Sequence, residues 1–349
     1  MNVIRGKENR VCFVATYYTL LLYLLYSSME DINNTHFIFG DGFDNITAKR
    51  FIRHTSIFGK PNYCSRSVLI EWLYSIYLRI FVLPKFSSNV LLFAQDHVKD
   101  SGTVISNHNY ILIEDSAHKC SNYRNHDKRY QEDERMKKSL RYLIKKMLFG
   151  GSVYGKHGNN NLCKGVLLSE YDEVDYFKGK EIIICNMNEA WRQSSQEKKD
   201  FILNVFDLKP DDIVMLKRDN ILFTQPLFPD VLTEEEHVEL YKRIISNYNI
   251  DDLIIKTHPR DNVPYEKLFP GIPVYRKKIP SQLIEMVGVH YKKAITVFSS
   301  AAISFSYSIQ VDWYGTESND KLLNLFGHYT PPLGANVCRL IGNEPKYSN

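Results

Sequence analysis

The residues from Asp252 to Asp261, Asp-Leu-Ile-Ile-Lys-Thr-His-Pro-Arg-Asp, put a lysine, a threonine hydroxyl, a histidine and an arginine directly after an aliphatic run. These donors suit an anion: Arg and Lys supply charge-assisted hydrogen bonds, and an imidazole can donate or accept. A second stretch answers it downstream. Ser299-Ser300-Ala301-Ala302 follows the apolar run Ala294–Phe298 and reads as a helix start. Serine is a favoured N-cap, and a helix N-terminus offers free N–H groups to a phosphate. Singly, a His-Pro after a strand is an ordinary turn and a Ser-Ser an ordinary cap. Together, with basic residues beside the first, they outline a nucleotide-phosphate site.

Two strands must position them. Leu253-Ile254-Ile255 is long enough for a buried parallel strand, and His258-Pro259 ends it, because proline cannot donate to a ladder and biases the residue before it towards extended geometry. Lys292 to Phe298 reads as the other strand. Open α/β sheets bind ligands outside the carboxyl ends of their strands, which is where both motifs fall.

The surrounding sequence alternates in the same way. In the second half, strands are expected at Ile221–Thr224, Leu253–Ile255, Pro273–Tyr275, Lys292–Phe298 and Gln310–Trp313. Helices are expected from Thr233, which heads a capping box with Glu236, to about Asn247, over Ser281–Val287, from Ser299, and around Lys321–Phe326. In the first half, strands are expected at Val11–Ala15, Phe37–Phe39, Val90–Phe93, Tyr110–Ile113, Val166–Leu168 and Glu181–Cys185. Helices are expected over Tyr18–Ser28, Val68–Val82, Gln196–Phe206 and a segment carrying Met136, Leu140, Leu143 and Met147, after a charged loop from Lys119 to Lys138. Gly150-Gly151 and the cluster Lys156–Asn161 mark a break. Leu208-Lys209-Pro210-Asp211 reads as a linker. The β–α alternation is that of doubly wound parallel sheets. It divides the chain into a first domain over 1–210, a second over 211–315, and a helix and tail over 316–349 whose return to the first domain is left open.

The whole chain sets outer limits. At 349 residues, with 44% hydrophobic and 24% charged residues, it is an ordinary globular chain with room for two cores. A net charge of +4 fits a basic site or contact with an anionic membrane surface, and no nucleic-acid module is visible. Cys12, Cys64, Cys120, Cys163, Cys185 and Cys338 are scattered, with no zinc spacing, which suggests a reduced, cytoplasmic protein. The glycosylation triplets at Asn33 and Asn45 carry no weight without secretion. The apolar run Val11 to Ser27 follows Arg5, Lys7 and Arg10 but is broken by Thr16–Thr19 and falls short of the roughly 20 apolar residues of a spanning helix. There is no G-x-x-x-x-G-K-[ST], no G-x-G-x-x-G after the first strand and no G-x-S-x-G.

Lys256-Thr257-His258-Pro259-Arg260, Leu222-Phe223-Thr224-Gln225-Pro226-Leu227, Ile113-Glu114-Asp115-Ser116 and Val297-Phe298-Ser299-Ser300-Ala301 together resemble glycosyltransferase family 52. The opening Val11–Tyr17 is similar to that family's first β–α unit, and the resemblance runs from about residue 10 to 315. These are bacterial enzymes that decorate lipooligosaccharide or capsule, best known as α-2,3-sialyltransferases. The resemblance implies an α/β GT-B fold, two Rossmann-like doubly wound domains facing a cleft, with the donor nucleotide held mainly by the second. It implies CMP-sialic acid as donor, a terminal galactose as acceptor, and no metal or other cofactor.

Carried over by residue, the resemblance puts His258 at the donor phosphate as acid or electrostatic stabiliser, with Thr257, Pro259 and Arg260 beside it. Ser299 and Ser300 would bind the phosphate, and Gln282 would lie along the nucleoside where an acidic residue is expected, with Glu285 one turn later as its substitute. Asp230, Asp115 and Glu114 are the candidates for the general base, and the acidic motif closes with Ser116 where the family has glycine. Bond cleavage leaves charge on a phosphate, which a metal-free enzyme meets with histidine, serines and N–H groups. The attacking hydroxyl needs a carboxylate within reach. Arg276, Lys277 and Lys278 read as a solvated charge run. The partners so implied are a nucleotide sugar and a glycan, with peripheral inner-membrane contact and a homodimer left open. A UDP-sugar hexosyltransferase of the same fold and a non-catalytic nucleotide- or glycan-binding protein are the alternatives.

Overall fold

The computed structural model describes residues 8–40, 43, 45–56, 73, 75–98, 101–105, 108–116, 140, 143–144, 157–170, 177, 179–328 and 337–340, with backbone alone for 8, 45 and 337–340. The chain divides into two compact units, Met1–Val205 and Phe206–Asn349.

The first unit is built on a parallel sheet of β1 (Glu8–Val14), β2 (Thr35–Phe39), β3 (His54–Ser56), β4 (Phe86–Ala94), β5 (Tyr110–Ile113), β6 (Cys163–Leu168) and β7 (Glu181–Ile184), in the order β3-β2-β1-β4-β5-β6-β7. Val11, Cys12, Phe13 and Val14 of β1 are buried, as are Phe37, Ile38 and Phe39 of β2. Strands covered on both faces read as continuous apolar runs, which is why the sequence marks them so plainly. The run that imitates a membrane anchor is strand plus helix. Thr16 caps the helix Tyr17–Tyr26 by accepting the Thr19 N–H at 3.1 Å, and Thr19 to Leu25 are all buried. A helix apolar all round belongs in a core. Among the described residues no helix is long and apolar enough to cross a membrane.

The second unit carries β8 (Asn220–Phe223), β9 (Leu253–Lys256), β10 (Val274–Tyr275), β11 (Lys293–Thr296), β12 (Ile309–Trp313) and β13 (Val337–Leu340), all paired parallel, in the order β10-β9-β8-β11-β12-β13. Its core joins Leu222, Ile255 and Ile295 from the strands to Leu240, Tyr241 and Ile244 of the helix Glu234–Ile245. Thr233 and Glu236 form the capping box that the sequence announces, with the Glu236 N–H on Thr233 Oγ1 and the Thr233 N–H on Glu236 Oε2. Leu322 of the helix Asp320–Phe326 is buried in this second core, and Lys321 pairs with Glu236 at 2.7 Å.

Three local expectations give way. The linker at 208–211 runs into a helix, Pro210–Leu216: proline is tolerated at its first position, and Asp212 accepts the Lys209 N–H at 2.8 Å. The helix expected from Ser299 is a single 3₁₀ turn, Ser300–Ile303. The short edge strands β3 and β13 were not anticipated, since three or four residues leave little pattern. Of the helix expected over 68–82, residues 73 and 75–82 are described, and it closes in a π turn at Leu78–Val82. The loop from Lys119 to Lys138, Gly150-Gly151 and most of the helix around Met136 to Met147 lie outside the described residues.

Both sheets reverse their strand order once, between β1 and β4 in the first and between β8 and β11 in the second. Such a switch point opens a crevice at the carboxyl ends.

Candidate active site

In the second unit, β9 carries Lys256 and Thr257 out of the core into a tight turn. The Asp261 N–H donates to the His258 carbonyl at 2.9 Å, closing a four-residue turn with Pro259 at its second position, where a fixed φ favours it. Thr257 is buried and donates its N–H to the Tyr275 carbonyl at 3.1 Å, so it joins β9 to β10. Pro259 and Arg260 are exposed. His258 is half-buried, its own N–H donates to Thr224 Oγ1 at 3.1 Å, and its Nδ1 accepts the Arg260 N–H at 3.1 Å. That bond leaves the proton of the neutral ring on Nε2. Burial, then Arg260, then Lys256 push the imidazole down to about 4, so the ring is neutral at physiological pH and donates from Nε2.

Lys256 is buried at 5% exposure, with Nζ on the Thr257 carbonyl at 3.1 Å and 5.7 Å from the centre of the Tyr275 ring. Burial pushes its ammonium down to about 8. It projects a positive field towards His258 rather than presenting itself at the surface. Arg276 and Lys277 are not free cations. Arg276 pairs with Glu266 at 2.5 Å, and Lys277 with Asp212 at 2.7 Å and Asp207 at 3.1 Å.

β8 lies between β9 and β11, so His258 and Ser299 stand at the same end of one sheet, with a strand between them, about 10 Å by the ordinary strand spacing. Ser299 is buried: its N–H donates to Thr296 Oγ1 at 2.9 Å and its Oγ accepts the Ala301 N–H at 3.4 Å. Ser300 is exposed, so it offers its hydroxyl to solvent while Ser299 is the cap. One 3₁₀ turn has a far smaller dipole than the expected helix, so hydroxyls and local N–H groups would carry any phosphate contact. Gln282 is buried and donates to the Ser304 carbonyl at 3.4 Å; Glu285 accepts the Ser306 N–H at 2.9 Å and also the Ser306 hydroxyl. Both hold the loop after the turn. Asp230 is exposed on the turn between β8 and the next helix, and among the described residues its carboxylate accepts no hydrogen bond.

The first unit has its own polar cluster, which lies beside its switch point. Gln95 is fully buried, and its Oε1 accepts the Ala15 N–H at 2.7 Å, tying the ends of β1 and β4 together. Asp96 is buried and accepts from the His157 N–H, the Gly158 N–H and the Tyr110 hydroxyl, each at 2.7 Å. Burial alone would raise its carboxyl, but hydrogen bonds from His97, Gly158 and Tyr110 hold it below the usual carboxylate range. His97 approaches Asp96 Oδ1 with Nδ1 at 3.7 Å, reaches Asp115 Oδ2 with Nε2 at 2.5 Å, and stacks on His157 with ring centres 4.5 Å apart. Asp115 is 18% exposed. Glu114 is buried, with Oε2 taking the Ser169 N–H at 2.8 Å, the Ser169 hydroxyl at 2.8 Å and the Tyr18 hydroxyl at 3.2 Å. It ties a helix to two strands. Ligand atoms of Asp96, His97 and His157 lie within 4.8 Å of one another, which is metal-like spacing. Three donors, the His157 and Gly158 N–H groups and the Tyr110 hydroxyl, already occupy the Asp96 oxygens.

Thr257, His258, Pro259 and Arg260 follow the carboxyl end of β9, Ser299 and Ser300 that of β11, and Asp230 lies on the loop after β8, while Glu114 and Asp115 follow β5 of the first sheet. Gln282 and Glu285 instead lie on the helix Ser281–Met286, with Glu285 bonded to Ser306 ahead of β12. Sequence reasoning quoted Thr224 and Asp261 within its motifs but gave them no role, and it missed Gln95, Asp96, His97 and His157. Asp261 closes the stretch already singled out, and Gln95-Asp96-His97 follows directly on a predicted strand, a position that could have marked it. His157 was hidden in a cluster read only as a break.

Against known proteins, the family model for glycosyltransferase family 52 matches residues 62–316. A relative from Haemophilus influenzae, described as an uncharacterized protein, is 33% identical over 241 residues, covering 68% of this chain and 72% of its own. Among solved structures, the chain is similar to the GT-B domain of a sialyltransferase from Photobacterium damselae, with a TM-score of 0.56 at 12% identity, covering 90% of this chain and 95% of that one. It is similar also to a 2,6-sialyltransferase from Photobacterium sp. JT-ISH-224, in a complex with the donor product CMP and the acceptor substrate lactose, with a TM-score of 0.56 at 12% identity over 87% of this chain and 71% of that one. Two parallel doubly wound units with these neighbours make the fold GT-B. The chain is a glycosyltransferase and belongs to glycosyltransferase family 52.

Proposed function

We propose that the protein is an inverting sialyltransferase that moves sialic acid from CMP-sialic acid to a galactose-terminated precursor of a bacterial surface glycan, lipooligosaccharide or capsule. The observation that carries this is His258, a neutral imidazole whose Nε2–H stands at the carboxyl end of β9 beside the switch point. The family and the two Photobacterium sialyltransferases, one of them holding CMP and lactose, support the donor and acceptor classes.

In this reaction the bond from the sugar's anomeric carbon to the phosphate oxygen breaks, and the electron pair stays on the phosphate. His258 Nε2–H and the Ser300 hydroxyl donate to that charge, in a positive field from Lys256 and Arg260. The phosphate in turn favours a proton on His258, so the same residue can act as an acid late in bond cleavage. The acceptor hydroxyl attacks the opposite face and gives its proton to Asp230, whose carboxylate is open to solvent on the loop of the adjacent strand β8. Asp115 is already engaged by His97, and Glu114 is built into the core. Gln282, Glu285 and Thr257 shape the nucleoside side by holding loops, and Pro259 shapes the turn. No metal takes part in this scheme. The enzyme works in the cytoplasm, at the inner face of the membrane where lipid-linked acceptors lie.

A donor panel decides it: purified protein with CMP-sialic acid, UDP-glucose and UDP-galactose, with lactose as acceptor, read by product mass with and without EDTA. A sialylated product that EDTA does not suppress is expected. A hexosylated product instead assigns a UDP-sugar hexosyltransferase, and nucleotide binding without hydrolysis or transfer assigns a binding protein. Asp230→Asn and Asp115→Asn, side by side, fix the base. Loss of turnover by about 10²-fold or more is expected for Asp230→Asn; the reverse pattern moves the base to the first domain.

A further inference from the structure

We infer that Asp261 and Thr224 are positioning residues that fix the backbone, and through it the proton-bearing nitrogen, of His258. This rests on the assignment of His258 to the leaving phosphate, and it adds a device that the assignment does not require.

The chain of bonds is complete in the structure. Asp261 is buried, and its Oδ2 accepts the Thr224 hydroxyl at 2.5 Å and the Tyr265 hydroxyl at 2.8 Å, while Oδ1 accepts the Val263 N–H at 3.2 Å. The Asp261 oxygen accepts from both, so both hydroxyls point their protons at it. The directions of the other bonds follow. Thr224 Oγ1 has its lone pairs left for the His258 N–H, which it accepts at 3.1 Å. Tyr265 Oη is left to accept from buried His237 Nε2 at 2.5 Å, so that ring carries its proton on Nε2. Burial holds His237 below the ordinary histidine range, which keeps it a neutral donor.

Position matters as much as direction. Thr224 closes β8, and its own N–H donates to the Lys256 carbonyl at 3.2 Å. Its backbone and side chain therefore clasp β9 on both sides of Thr257. Asp261 lies at the far end of the turn and returns to the same hydroxyl. With the Asp261 N–H on the His258 carbonyl, the turn is held from both ends. The Arg260 N–H can then meet His258 Nδ1, which is what leaves the ring proton on Nε2. Only a hydroxyl at 224 donates to the carboxylate and accepts the amide at once. Valine matches its shape and can do neither.

The test compares Thr224→Val, Thr224→Ser and His258→Ala, with nitrogen-15 NMR of the His258 ring. In the native protein a single neutral tautomer with the proton on Nε2 is expected; a ring that exchanges between tautomers, or carries its proton on Nδ1, overturns the inference without any variant. Thr224→Val should lose turnover by about 10- to 100-fold with donor KM changed little, the mark of an interaction lost in the transition state. It should also bring mixed tautomers and a His258 titration moved up from about 4. Thr224→Ser should restore the single tautomer and recover most of the turnover. If His258→Ala abolishes transfer while Thr224→Val leaves turnover and tautomer as in the native protein, the bracket is refuted and the site assignment stands. If His258→Ala leaves transfer intact, the assignment itself falls. Should Thr224→Val not fold, Tyr265→Phe, which removes one donor to Asp261, is read by the same ring signal, and an unchanged tautomer refutes the inference.

Discussion

Each sheet carries a histidine at its carboxyl end, and each histidine is tied to a buried aspartate, yet the two stand in opposite fields. His258 has Lys256 and Arg260 for neighbours, both of which disfavour its protonation, and its link to Asp261 passes through Thr224 and the backbone. His97 lies directly between carboxylates, 3.7 Å from Asp96 and 2.5 Å from Asp115. The lesson lies in what each end can receive. Cations and an N–H donor face an anion well, while carboxylates accept from hydroxyls and repel phosphate. On this contrast the end of the second sheet suits an anion and the end of the first does not.

The largest expected effect tests the first half of that contrast. His258→Ala should lower turnover by about 10²- to 10⁴-fold, the range for a lost proton donor or charge-stabilising group. Half-buried and outside both cores, the ring should leave the thermal midpoint within a few degrees. Near-native transfer would mean that the second sheet's histidine is an ordinary turn residue.

The next effect falls on stability and on the other sheet. Asp96→Asn replaces a buried carboxylate that accepts three donors by an amide that must turn an NH₂ towards at least one of them, at a cost of about 2–3 kcal/mol. Asp96 is held below its ordinary value in the fold, so its contribution is fully present above the unfolded carboxylate range, near pH 4, and is lost as pH falls through the lower folded value. Denaturation curves of the two proteins should therefore differ most at neutral pH and converge in strong acid. A constant gap would assign the loss to packing instead of charge.

How much of this was legible beforehand follows from the same physics. The strands with both faces buried, such as Val11–Val14 and Leu253–Ile255, announce themselves because continuous apolar runs need no partner to be recognised. The turn at His258-Pro259 was legible because proline acts locally. Ser299 looked like a helix start because an N-cap is a local signal, but nothing local says whether one turn or three will follow. The links from Asp261 to Thr224 and from His97 to Asp115 join residues 37 and 18 positions apart, and only the sheet's strand order brings them together. A buried carboxylate at the end of a strand reads, in sequence, like any surface acid.

A smaller effect sharpens the contrast in charge. His258 should titrate near 4 in the free protein, and bound CMP should raise it by about one unit or more, because an anion close to the ring favours the charged form. The sign for stability is opposite to that of a histidine with an acidic partner. The unfolded ring takes its proton near 6.5 and the folded ring near 4, so stability is lost as pH falls between those values, and CMP should lessen that loss. Titration of the ring by NMR, with and without CMP, reads both. A nucleotide that binds without moving the ring would place its phosphate away from β9.

The smallest effect concerns the source of the field at His258. Lys256 is buried with a carbonyl and a ring face for company, and among the described residues no carboxylate pairs with it. Burial holds its ammonium at about 8, below the 10.5 of the unfolded side chain, so the native state gains stability as pH rises between those values. At neutral pH the charge is therefore a cost, which the fold carries beside the proposed phosphate site. Lys256→Met keeps the length and removes the charge. It should raise the thermal midpoint slightly, by the equivalent of about 1 kcal/mol, and let the His258 titration drift upwards. Donor affinity should fall a few-fold as the field weakens. If the midpoint drops instead, the bond to the Thr257 carbonyl and the contact with the Tyr275 ring outweigh desolvation, and the positive field becomes a by-product of packing at the end of β9.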